Sequence, residues 1–204
     1  LGLVCWMAGY FVVGNGVAGA VGFGFFRINL LTLFDASGWS FVLKDIPEGG
    51  GDYEGFNFLG LGGLVLAIWA IPIMVAGQVS LWSAARKKSV LFLAFLGLAL
   101  FALSNNVGIG TSSFNYPLPE VLLGWANTFR ASGRMFWPVF YGLLFVLLFV
   151  VIRGTGTRPA IVILALALVV QIVDTSAGWG GIRAKFMEAR DSEWSTSLKD
   201  PFWA

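Results

Sequence analysis

The sequence predicts a polytopic all-α membrane protein, and three observations carry that prediction. Hydrophobic residues make up 57% of the chain and charged residues 12%, about half the charged share of an ordinary soluble domain. The apolar residues gather in uncharged runs close to the ~20 residues that a helix needs to cross a bilayer core. Positive residues sit in the short connections between runs, and every Asp and Glu lies in the longer ones. Taken in order, the runs predict about five transmembrane helices, with interfacial or re-entrant helices on the outer face.

The first run, Leu1 to about Val13, reaches full length only by continuing through the glycines to Gly24 or by starting upstream. If it continues, Gly14, Ala18 and Gly22 recur at four-residue spacing, as do Gly16, Ala20 and Gly24, giving a small-residue face suited to close helix packing in lipid. Phe56 to Ala76 is the clearest span, with 21 residues and no charge, and Pro72 is placed to kink it. Val90 to Ser104, Met135 to Ile152 and Pro159 to Val173 follow, the last extendable to Trp179.

Orientation comes from the basic residues of the short connections. Arg86, Lys87 and Lys88 lie between the second and third spans, and Arg153 and Arg158 between the fourth and fifth. Alternating spans put both groups on one side, which is then cytoplasmic. Segments 14–55, 105–134 and 174–204 face outward, which fits a multi-pass protein of the bacterial plasma membrane with long extracytoplasmic loops. Trp39, Trp69, Trp82, Trp125, Trp137 and Trp179 suit interface anchors.

In the first outer segment, Ile28 to Phe34 is apolar enough for a short surface helix, ended by Asp35 to Gly38. In the second, Pro119 and Glu120 suit the start of a helix, since proline lacks the N–H left unpaired there and an acidic residue complements the dipole. If Ser132-Gly133 does not break that helix, Asn127, Arg130 and Arg134 share one face, with Leu118, Leu122, Trp125 and Phe129 on another. In the third, Trp179, Ile182, Phe186 and Ala189 make an apolar stripe against Arg183, Lys185, Glu188 and Arg190, as in an interfacial helix. Residues 1–179 thus read as a transmembrane helical domain and 180–204 as an amphipathic helix and linker. The first and last residues suggest a piece of a longer chain.

Composition also excludes chemistry. The chain has no histidine, which removes Ser-His-Asp triads, Cys-His pairs and HExxH zinc helices. The net charge of +2 is scattered, so no basic stripe points to nucleic acid. The lone Cys5 lies in an apolar run and reads as a small hydrophobe. Gly14-Asn-Gly16-Val-Ala-Gly19 matches a dinucleotide-binding pattern in letters only, because no βαβ unit surrounds it.

What remains is carboxylates and guanidinium groups. Arg130 and Arg134 near the outer boundary suit a phosphate or pyrophosphate, whose oxygens guanidinium forks match in pairs, with Asn127 beside them. Asp35, Asp52 and Glu54, with Asp45 on the same loop, are the carboxylates available as general base or as oxygen ligands for a divalent cation such as Mg²⁺ or Ca²⁺. Asp174, at the end of the last run, calls for a partner that lowers the cost of a charge at that depth. Arg130 and Arg134 are the candidates.

Three stretches carry a resemblance: Asn29-Leu-Leu-Thr-Leu-Phe-Asp35-Ala-Ser-Gly-Trp39-Ser, Asp52-Tyr-Glu-Gly-Phe-Asn-Phe-Leu-Gly-Leu-Gly62 and Phe129-Arg-Ala-Ser-Gly-Arg-Met-Phe-Trp-Pro138. They resemble the later half of a family of bacterial polytopic membrane proteins, which in turn resemble GT-C glycosyltransferases. The resemblance implies sugar transfer from a polyprenyl-phosphate donor on the outer face, with membrane lipid and lipid-linked sugar as partners and a loop carboxylate as base or metal ligand. In GT-C enzymes that carboxylate usually lies in the first outer loop, which here would precede Leu1. This chain would then supply the donor-phosphate grip. A transporter or flippase for lipid-linked sugars, or an envelope scaffold, is the rival expectation.

Overall fold

The computed structural model describes residues 6, 7 and 22–188, and these are mostly helical. The apolar stretch Leu1 to Val13 save Trp6 and Met7, the pattern Gly14 to Gly19, the small-residue face before Gly22, and residues 189–204 lie outside the described residues.

Six helices are described: α1 (Gly60–Val75), α2 (Leu81–Lys87), α3 (Ser89–Leu103), α4 (Glu120–Asn127), α5 (Trp137–Thr155) and α6 (Thr157–Met187). Two are long and apolar enough to cross a membrane: α5 together with the 3-10 turn Ser132–Phe136 that leads into it, and α6. At 16 and 15 residues, α1 and α3 rise about 22–24 Å at 1.5 Å per residue, short of the ~30 Å hydrocarbon core. The five full spans expected are thus two long helices and two shorter apolar ones among the described residues. Phe56 to Leu59 precedes the helix, with Leu59 as its N-cap, and Pro72 lies so near the C-terminus of α1 that the helix ends three residues later.

Local chemistry explains the boundaries. Pro138 and Pro159 stand in the first turns of α5 and α6, where no intrahelical N–H is lost. Gly156, at φ +77°, makes the joint between them, a left-handed conformation that a side chain would strain. The basic residues expected to form a loop between spans instead end α2, where Arg86 and Lys87 face the negative end of the helix dipole; Arg86 also lies 5.0 Å over the Trp82 ring.

α1, α5 and α6 pack as one group. Leu59, Ala70, Ile73, Leu147 and Val150 form one cluster, and Leu66, Val151 and Ala167 another. Close approach depends on glycine: a side chain at Gly62 would run into the Ala167 carbonyl, and one at Gly154 into Ile73. These contacts set α1 alongside α5 and antiparallel to α6. The starts of α1 and α5 therefore share one end with the C-terminal half of α6, and the Gly156 joint lies at the other. Outside the cluster, Ile161, Val162, Leu166, Leu168, Val169, Ile172 and Val173 of α6 are largely exposed.

Segments 22–59 and 104–136 gather at the end marked by Gly60, Leu103 and Trp137. Segment 22–59 passes the C-terminus of α3, where Ile28 N–H donates to the Ala102 carbonyl, and the 3-10 turn, where Gly133 N–H donates to the Phe26 carbonyl. One expectation fails here. Ile28 to Phe34 is a series of turns, not a helix, because Asn29 is drawn out to bridge Gly108. Segment 105–134 also contains a small hairpin, β1 (Asn106–Ile109) paired antiparallel with β2 (Ser112–Asn115), within the mostly helical fold. Gly110, at φ +58°, makes its turn.

Candidate functional site

The centre of the polar end is a buried ion pair. Arg27 Nε donates to Asp52 Oδ1 at 3.0 Å, and Arg27 Nη1 to the Asn106 carbonyl at 2.7 Å. The other carboxylate oxygen, Oδ2, accepts from Asn29 Nδ2 at 2.8 Å and from the Gly49 amide at 3.0 Å. Asn29 also spans to the hairpin, donating to the Gly110 carbonyl and accepting the Gly110 amide. All three side chains are buried, so neither charge meets water and each is compensated by the other. One network thus ties segment 22–31 to the 3-10 turn Asp52–Gly55 and to the hairpin.

The backbone of that turn is clamped in the same way. Thr32 Oγ1 donates to the Gly55 carbonyl at 2.8 Å and accepts the Asn57 amide at 2.8 Å. A Cβ on Gly133 would lie 2.8 Å from both the Arg27 carbonyl and Gly55 Cα. Segments 26–28, 52–55 and 132–134 therefore meet backbone to backbone, which brings Glu54 to Arg134.

Glu54 Oε2 accepts from Arg134 Nε at 2.6 Å, and Nη2 lies 2.6 Å from the same oxygen in the ion pair. Arg134 is more than half exposed, so N–H groups of its guanidinium beyond the one donated to Glu54 remain available. Arg130 places its guanidinium carbon 5.0 Å from the centre of the Phe26 ring, and among the described residues no carboxylate pairs with it. Glu54, Phe129, Arg130, Ala131, Arg134 and Met135 line a cleft of about 350 Å³. Phe129 is fixed by an edge-to-face contact with Phe101 of α3. With two guanidinium groups and one carboxylate, the cleft carries a net positive charge at the start of α5.

Its geometry differs from the sequence expectation. α4 ends at Asn127 and a 3-10 turn begins at Ser132, so Asn127, Arg130 and Arg134 do not share a helix face. Ser132 turns its hydroxyl onto the Phe26 carbonyl, and docking on segment 22–28 overrides helix continuation. The two arginines still reach one cleft, whereas Asn127 Oδ1 accepts the Phe23 amide at 3.2 Å and is absent from the lining.

The other carboxylates are spent on backbone. Asp35 is buried and its Oδ1 accepts the amides of Ser37 and Ile46, closing loop 35–46; Asp45 accepts the Gly38 amide. Asp52 has both oxygens occupied. Among the described residues no group of three or more acidic or cysteine side chains is placed to hold a metal ion. Asp174 does not meet either arginine. Its Oδ1 accepts from Ser40 Oγ at 2.8 Å and from the Phe41 amide at 3.0 Å, because segment 39–42 lies along α6 with the Trp39 ring against Gly178.

Sequence reasoning passed over Arg27, Asn29 and Glu48. Arg27 and Asn29 carried a usable signal, being the polar residues in the otherwise apolar stretch Phe23 to Leu31. Glu48 carried none. Its carboxyl is pushed up to about 7 by burial first, then by the carboxylates of Asp35 and Asp52.

Among known protein families, a model described as a domain of unknown function, DUF6311, matches residues 1–176. No match was found among curated proteins or solved structures.

Proposed function

Starting from the premise that the chain belongs to the DUF6311 family, whose matched region takes in every residue of the cleft, we propose that it is a multi-pass membrane protein that grips a lipid-linked phosphate on its outer face. The reaction proposed is sugar transfer from a polyprenyl-phosphate donor, by analogy with the GT-C glycosyltransferases that the sequence resembles. α1, α3, α5 and α6 are the spans in this reading. The basic residues Arg86, Lys87, Lys88, Arg153 and Arg158 lie at the ends remote from the cleft, which supports a cytoplasmic location for those ends.

The observation that carries the proposal is the Arg130–Arg134 cleft. It opens at the start of a long apolar helix, the depth at which a lipid-borne phosphate lies in a bilayer. Arg130 and the free N–H groups of Arg134 bind phosphate oxygens, while Glu54 holds Arg134 in place and offers a carboxylate beside the bound group. Asp35 and Asp52 have other roles here, holding the loops that shape the cleft. Asp35 Oδ1 holds backbone amides and both oxygens of Asp52 are held by Arg27, Asn29 and Gly49, so Glu54, the one of the three that lines the cleft, serves as base.

The test is transfer from labelled polyprenyl-phosphate sugar in membranes containing the protein. A charge-assisted hydrogen bond contributes about 1.5–3 kcal/mol, so Arg130→Ala with Arg134→Ala should lower transfer by roughly 100-fold or more. Wild-type transfer from the double variant would overturn the grip.

A further inference from the structure

We infer that Asp174 is the headgroup contact of a second lipid site, one that takes a phospholipid with a primary ammonium group. The site shares no lining residue with the cleft, lies where segment 39–42 covers α6, and rests on the reading of α6 as a membrane span.

Asp174 is 3% exposed, yet only one of its oxygens is used. Oδ1 accepts from Ser40 and Phe41, whereas Oδ2 is buried and has no hydrogen-bond partner among the described residues. Asp52, buried at the same end, has both oxygens directed at N–H groups. An unpaired buried carboxylate oxygen is costly in a low-dielectric setting and calls for a donor. Asp174 also lines a notch of about 240 Å³ whose other walls, Phe41, Val42, Leu61, Val169, Val170 and Val173, are all apolar. Phe41, Val42, Val169 and Val173 are largely exposed, so the notch opens toward the surroundings of the helix.

A carboxylate at the head of an apolar notch complements an amphiphile with a cationic donor above a hydrocarbon chain. Asp174 begins the polar end of α6, after the uncharged run Ile161 to Val173, which puts it at headgroup depth. An ammonium has three N–H donors and a positive charge; a choline has the charge and no donor; a glycerol headgroup has hydroxyl donors on an anionic lipid, which the carboxylate repels. Phosphatidylethanolamine chemistry is thus selected over both. The acyl chain lies along Leu61, Val169 and Val173. Segment 39–42, latched to Oδ1, forms the outer lip.

The full chain is reconstituted in vesicles of equal phosphatidylethanolamine, phosphatidylcholine and phosphatidylglycerol with matched acyl chains. It is then extracted in mild detergent, and the retained lipid is identified by native mass spectrometry. The wild type should retain ethanolamine lipid about tenfold over choline lipid, the scale of one charge-assisted hydrogen bond. Asp174→Asn keeps an oxygen for Ser40 and Phe41 but offers an N–H where the acceptor was, and it should bring the ratio to about one. Val170→Phe fills the notch while leaving the carboxylate intact, and should do the same. Equal retention by the wild type, preference for the glycerol lipid, or a preference surviving both variants overturns the site. Alkaline extraction separates this from the span: release of the wild type overturns the membrane reading and the site with it, whereas firm retention with no lipid preference overturns the site alone.

Discussion

Asp52→Asn is the most informative single change, because sequence and structure assign that carboxylate different roles. In the structure it is buried and accepts from Arg27, Asn29 and Gly49. Asparagine has nearly the same shape, but it carries no charge and turns an NH₂ toward groups that are already donors. Its one oxygen can accept from Arg27 or from Asn29 and Gly49 but not from both sides, and Arg27 becomes a buried cation without a counter-charge. Breaking a buried pair from one side costs about 3–5 kcal/mol. For a chain of this size each kcal/mol moves the thermal midpoint by about 2–4 °C, so a drop on the order of 6–20 °C is expected. Thermal unfolding in detergent micelles, followed by circular dichroism, measures it. Arg27→Met should cost a similar amount. The double variant Arg27→Met with Asp52→Leu should be destabilised by clearly less than the sum of its singles, because no unpaired charge is left. A shift below about 2 °C for Asp52→Asn, or strictly additive effects, would refute the network as the tie between segment 22–31 and the 3-10 turn.

Two further outcomes follow from particular contacts. The raised pKa of Glu48, about 7, means that the folded chain holds a proton that the unfolded chain releases above its ordinary pKa near 4.5. The associated stability is present in full below about pH 4.5 and is lost as pH rises through about 7. Glu48→Gln should flatten the fall in thermal midpoint across that window, and an unchanged pH profile would count against the buried setting of Glu48. Gly62→Ala places a methyl group against the Ala167 carbonyl and 2.8 Å from Gln171 Cβ, and should destabilise the α1–α6 contact by roughly 1–3 kcal/mol. Gly97→Ala on α3, where nothing lies within 4 Å, should leave the unfolding midpoint unchanged or slightly raised.

Much of the helix framework was legible in the sequence because a long apolar helix is specified locally. Uncharged runs located α1, α3, α5 and α6, and Pro138, Gly156 and Pro159 mark boundaries by backbone rules that need no partner. The same logic failed for Ile28 to Phe34. Apolar residues there are compatible with a helix, but Asn29 makes better hydrogen bonds across to Gly110, some eighty residues away. It failed again beyond Asn127, where periodicity would continue the helix and the hydroxyl of Ser132 instead caps the Phe26 carbonyl.

The sequence by itself determined the mostly helical character, the placement of basic residues in short connections, and the identity of Arg130 and Arg134 as charges close to one end of a long apolar helix. These properties depend on composition and on neighbours a few residues apart. Tertiary structure alone decided which charges pair. Arg134 meets Glu54 rather than Asp174, Arg27 meets Asp52, and Asp174 Oδ2 has no partner among the described residues. Pairing is a matter of distance after the chain has crossed itself. A carboxylate costs the same to bury wherever it lies in the sequence, and only the folded arrangement shows which donor arrives to offset that cost.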